Sequence, residues 1–167
     1  YQAVLSGATG QMFGNNPIWH FSGPGLHGAS MEWREALDSP GARSMEILYR
    51  LISATKWWSL EPDVRSRFLI SGHGTEDRRA VAAVAGDGSF ALAYIPTARP
   101  INLDLSRLAG EFVEANWIDP TSGHSTPIEG SPFPPSPQTF LPPPTNRSGS
   151  SDWVLKLTSA AENPEGK

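Results

Sequence analysis

The chain has 167 residues, 38% of them apolar and 18% charged, with 13 Lys and Arg against 17 Asp and Glu for a net charge of -4. That length suits one domain, or one domain plus part of another, and the acidic balance without any clustered Lys/Arg run argues against a nucleic-acid partner. With no cysteine there is neither a disulfide framework nor a thiolate metal site, and no apolar run approaches the ~20 residues of a bilayer-spanning helix.

The chain opens with Tyr1 inside the apolar segment YQAVLSGATG, and its N-terminus is expected to be a cut through a larger protein. Tyr1 to Ala8 reads as the last turns of a helix, ended near Gly7 and Gly10. In QMFGNNPIWHF (Gln11 to Phe21), Gly14 and Pro17 argue against helix, so a short strand followed by a loop carrying Asn15, Asn16, Trp19 and His20 is expected. SGPGLHG reads as loop. A short helix over Met31 to Leu37 follows, with Ser30 as N-cap. A longer one runs from Pro40 to about Lys56, with Ser39 as N-cap and proline at the first helical position. Met45, Leu48, Leu51 and Ile52 recur on its inner face, while Arg43, Glu46 and Arg50 fall on the other. Trp57 and Trp58 close it as packing residues, and LEPD is a turn.

From Arg67 the period changes to two. Strands are expected at Arg67 to Ser71, Arg79 to Ala85, Ser89 to Ile95, Pro100 to Leu105, Glu111 to Ile118, Thr139 to Leu141 and Trp153 to Thr158. Gly86, Asp87 and Gly88 make a hairpin of the second and third. Ile101, Leu103 and Leu105, and likewise Trp153, Leu155 and Leu157, alternate with other residues and should bury one face. EFVEANWIDPTSG ends in a polar turn in which Asp119 is a capping residue and Trp117 is core. Ser131 to Ser151, rich in proline and serine, should wrap the sheets in extended form, anchored by Phe133, Phe140 and Leu141. Seven short strands suggest a β-sandwich.

The order of VLSGATG, FGNNPIWHF, the helix SPGARSMEILYRLISATKWWSLEPD, GDGSFALAYIP, NWIDPTSG, FLPPP and DWVLKL resembles the C-terminal part of bacterial apiosidase-like glycoside hydrolases. In those proteins a (β/α)8 barrel precedes a β-sandwich that carries the label of a collagen-binding domain of a collagenase. The resemblance implies an α+β fragment: the C-terminal end of a (β/α)8 barrel over residues 1–63, with strand eight at about Gln11 to Phe13, then an antiparallel β-sandwich over residues 64–167. It implies that the sandwich braces the barrel, that the catalytic carboxylates lie outside this chain, and that the compartment is periplasmic or extracellular. The partner would be a polysaccharide or oligosaccharide met through the parent enzyme. An independent module binding polysaccharide or collagen is the alternative.

Barrel active sites form at the C-terminal ends of strands, so the loop after strand eight would face the substrate. Asn15 and Asn16 offer amides for hydroxyl groups, and Trp19 and His20 offer aromatic faces for a sugar ring. Packing remains an alternative for Trp19, and turn support for the Asn pair. His20, His27, His73 and His124 lack metal-ligand spacing, so neither metal nor cofactor is expected. The carboxylate pairs Asp104 with Glu111, and Glu114 with Asp119, each have a plain surface or turn explanation, and no complete active site is expected here.

Overall fold

The computed structural model describes residues 1–160; residues 161–167, the end of the expected 64–167 unit, lie outside the described residues. Three α-helices come first: α1 (Gln2–Leu5), α2 (Trp33–Ala36) and α3 (Pro40–Ser53). Nine strands follow: β1 (Leu60–Pro62), β2 (Leu69–Ser71), β3 (Val81–Ala85), β4 (Phe90–Ile95), β5 (Ile101–Asp104), β6 (Phe112–Ile118), β7 (Ser125–Pro127), β8 (Pro137–Phe140) and β9 (Trp153–Ala160). They pair antiparallel into a six-stranded sheet, β1-β3-β4-β9-β6-β7, and a three-stranded sheet, β2-β5-β8. The chain is α+β with antiparallel sheets.

Alternation decides which face each side chain serves. Trp153, Leu155 and Leu157 of β9 join Ala91 and Ala93 of β4 and Val113 and Ala115 of β6 in one core, closed from the other side by Leu69, Ile101, Leu103 and Phe140 of the small sheet. Trp117 meets Trp153 edge to face there, with ring centroids 6.3 Å apart. The residues in between are buried as well. Phe90 and Leu92 of β4, Ile118 of β6 and Val154 of β9 form a second core with Leu5 of α1, against which Leu51 and Ile52 of α3 pack. The large sheet is therefore a middle layer, covered by helices on one face and by the small sheet on the other. Each fully buried aliphatic side chain contributes about 1.5–3 kcal/mol, so both faces matter to stability.

Several expected elements differ. No strand forms at Gln11 to Phe13, where the eighth barrel strand is expected: a strand needs ladder partners, none of the described strands lies beside this one, and Met12 is 94% exposed. The short helix starts later, at Trp33, because Glu32 and Glu35 supply its cap, the Glu35 carboxylate accepting the Glu32 N–H at 3.3 Å. Ser39 does cap α3, accepting the Ala42 N–H at 3.4 Å. Two three-residue edge strands, β1 and β7, escape a pattern reading because each ends in proline and is too short to alternate. Trp57 and Trp58 do not pack as expected; they are 40% and 71% exposed.

The Ser131 to Ser151 segment wraps the sheets. Phe133 exchanges both backbone hydrogen bonds with Val113 at 2.9 Å, its ring meets Phe140, and Trp153 Nε1 donates to the Pro143 carbonyl at 2.9 Å. Leu141 is the exception among its anchors and points to solvent.

Asp119 is 2% exposed and organises the turn after β6. Its carboxylate accepts from the Thr121 N–H and hydroxyl at 2.8 and 2.6 Å, the Ser122 hydroxyl at 2.8 Å and the Arg147 N–H at 3.2 Å. Burial alone would push its carboxyl up; the bonds from Thr121, Ser122 and Arg147 outweigh that and hold it below the usual value. The lowered folded-state value means that its stabilisation is complete above the ordinary Asp range near pH ~3.9 and is lost as pH falls through the folded-state value. Asp119→Ala should cost roughly 2–4 kcal/mol in urea unfolding at pH 7. The gap to wild type should narrow as the pH is taken below 4; a gap independent of pH would show that the charge on this carboxylate is not what holds the turn.

Candidate functional site

The loop between α1 and α2 brings together the four residues singled out from sequence. Pro17 is buried, and Ile18–His20 form a single 3-10 turn held by the Trp19 N–H to the Asn15 carbonyl at 3.2 Å. Asn15 faces inward: its Nδ2 donates to the Ala36 carbonyl at 3.0 Å and to Ser39 Oγ at 2.8 Å, tying the loop to the start of α3. Asn16 Nδ2 donates to the His27 carbonyl at 3.0 Å, which leaves its Oδ1 to accept from His20 Nε2 at 2.9 Å. Because an amide oxygen only accepts, His20 Nε2 donates in that bond, and its Nδ1 is buried without a partner.

Three rings gather above this frame. Trp19 lies edge-on to His20 with centroids 4.6 Å apart and tilted by 37° to His27 at 5.0 Å, and the two histidine rings are 5.4 Å apart. Trp19 is 56% exposed. His27 was not a candidate from sequence. Its place in the SGPGLHG loop depends on left-handed backbone at Gly25, His27 and Gly28, a geometry with no spacing signature. Beside the cluster, the Phe21 ring meets Trp33 edge to face at 5.4 Å and the Arg34 guanidinium lies 4.3 Å over Trp33.

Such a surface offers apolar ring faces with polar edges, the chemistry that stacks on a sugar ring. Asn15 Nδ2 has both donors engaged in holding the loop, whereas Asn16 Nδ2 spends one of its two on the His27 carbonyl. Elsewhere, Asp104 is committed to the Ser106 N–H and hydroxyl, at 3.2 and 2.6 Å, and Asp119 to its turn. Among the described residues no group of three His, Cys, Asp or Glu side chains could hold a metal ion.

A family model described as "Apiosidase-like, catalytic domain" matches residues 1–59, and one described as "Putative collagen-binding domain of a collagenase" matches residues 64–158. A solved structure titled "Glycoside hydrolase" superposes with a TM-score of 0.81 and 26% identity, covering 98% of this chain and 36% of its own. A glycoside hydrolase family 5 structure from Bacteroides vulgatus ATCC 8482 superposes with a TM-score of 0.79 and 27% identity, covering 98% of this chain and 35% of its own. The chain thus spans about a third of the length of these solved structures. No curated protein matches it.

The geometry separates the two kinds of residue in this loop. Asn15→Ala should destabilise the chain by about 1–2 kcal/mol, since it leaves a part-buried carbonyl and hydroxyl without their donor. Trp19→Ala should change unfolding free energy by no more than about 0.5 kcal/mol. Urea denaturation of both variants checks this, and a larger cost for Trp19 than for Asn15 would return Trp19 to a packing role.

Proposed function

The chain belongs to the family described as a collagen-binding domain of a collagenase, matched over residues 64–158, and from that premise we propose that it is the C-terminal part of a carbohydrate-active, glycoside hydrolase-like protein. In this reading residues 1–63 contribute the end of a (β/α)8 barrel, and residues 64–167 form an accessory β-sandwich that braces it. Trp19, with His20 and His27 behind it and Asn15 and Asn16 fixing the loop, contacts the glycan at the barrel rim. Hydrolysis belongs to carboxylates on barrel strands outside this chain.

One observation supports the reading most. Apart from Val64, Ile70 and Leu141, every exposed large hydrophobic side chain among the described residues falls within residues 1–59, from Met12, Phe13 and Phe21 to Tyr49, Trp57 and Trp58. Isolated domains rarely leave that much apolar surface in one region uncovered, and further barrel strands and helices would cover it. The bracing role is supported by the second core, where Leu5, Leu51 and Ile52 pack on the large sheet. The domain division is supported by the family models meeting between residues 59 and 64.

Two measurements test the proposal. In hydrogen exchange on the 167-residue chain, Gln11 to Phe21 should exchange fast while β4, β6 and β9 exchange slowly. Strong protection across Gln11 to Phe21 counts against a missing partner. In the longer protein, Trp19→Ala should lower kcat/KM on its oligosaccharide by about tenfold, the loss of ~1–1.5 kcal/mol of ring stacking. An unchanged kcat/KM removes Trp19 from the glycan site. Binding of this chain to collagen peptides, with none to glycans, would favour the independent collagen module instead.

A further inference from the structure

A crevice of about 230 Å³ separates the end of α1 from the edge of the six-stranded sheet, on the other side of the molecule's helical layer from any role assigned to Trp19. Leu5, Pro62 and Val81 give it apolar walls; Ser6, Ser66, His73 and Arg79 give it polar ones. His73 Nε2 is buried without a hydrogen-bond partner. The Arg79 guanidinium makes no ion pair or hydrogen bond among the described residues, its backbone N–H alone being used, to the Glu76 carbonyl.

The local acceptors are already committed. Arg99 donates to the carbonyls of Gly72 and His73 at 2.7 Å each and of Arg78 at 2.6 Å, which fixes the loop that carries His73 and Arg79. Gln2 Nε2 donates to the carbonyls of Asp77 and Arg79 at 3.1 and 2.9 Å. The one carboxylate on the wall, Asp63, accepts the N–H groups of Arg67, Phe68 and Leu69 at 2.7–3.0 Å and has its own backbone turn to hold. The unpaired Arg79 guanidinium therefore stands at a crevice in which the fixed acceptors are spent.

The geometry points to a binding site for a small organic carboxylate at this crevice, with Arg79 pairing its two oxygens, the Ser6 and Ser66 hydroxyls as further donors, and Leu5, Pro62 and Val81 covering its carbon frame. A guanidinium matches the planar carboxylate in a two-point geometry, and the apolar walls favour an acid with a carbon body over a bare inorganic anion. The volume lies below the ~300–1,000 Å³ of sites for drug-sized ligands, which fits a short acid and not an oligosaccharide. Because Leu5 and Ser6 come from the helical layer and Arg79 from the sheet layer, an occupied site would tie the two layers together. This assignment is independent of the glycan reading.

NMR of the His73 ring protons in the 167-residue chain, titrated at constant pH and ionic strength with sodium lactate, sodium sulfate or sodium chloride, tests it. Lactate should give a saturable shift. Arg79→Gln should weaken that binding by about tenfold, the value of one charge-assisted pairing, with no change in melting temperature because the side chain touches nothing else. Arg78→Gln, whose side chain does not line the crevice, should bind as wild type does. A shift that never saturates, tighter binding of sulfate than of lactate, or equal lactate affinity in Arg79→Gln and wild type would each overturn the proposal.

Discussion

Everything in this chain depends on a sheet that is dry on both faces. Most of β4 and the start of β9 are buried on both faces, because one face closes on the small sheet and the other on α1 and α3. That constraint explains why FALAYI and WVLKL carry apolar residues at consecutive positions, and why the amphipathic stripe of α3 has somewhere to go. It also makes the helical layer more than an appendage. Removing it would uncover Phe90, Leu92 and Val154 together, a contiguous apolar patch of the kind that drives association between molecules.

Period-two alternation revealed the strands that line the shared core, since Ile101, Leu103, Leu155 and Leu157 each bury one face against the facing sheet. It says nothing of Val154, which is buried against the helices, because a sequence does not say that a second layer covers the far face. β1 and β7 were hidden for a different reason: their pairing is imposed by the neighbours β3 and β6, and three residues ending in proline carry no period. At Gln11 to Phe13 the resemblance supplied a strand that the local residues do not form without neighbours.

The candidate loop was legible in its composition and not in its geometry. A tryptophan, a histidine and two asparagines in GNNPIWH announce aromatic and amide chemistry, but which groups are spent on structure follows from partners 11 to 24 residues away: Ala36, Ser39 and His27. Asn15 thus acts as a strut, and beside Asn16 stand rings, one of them contributed by His27 from a glycine-bracketed loop. Asp119 followed the opposite course. Its setting before PTSG already implied a capping role, and only the Arg147 N–H, 28 residues distant, was beyond local inference.

The position of β9 between β4 and β6 has a consequence for the order of synthesis. The two strands that flank it are made before it, each with one edge open, and the hydrogen bonds that join Phe90 through Ile95 to one side of β9 and Phe112 through Ile118 to the other cannot form until β9 itself has been made. Until then the sheet is two separate halves with apolar faces and unpaired edges. The proline-rich strap itself pairs elsewhere, through β8 with β5 and through Phe133 with Val113 of β6, which leaves the gap between β4 and β6 for β9 to fill.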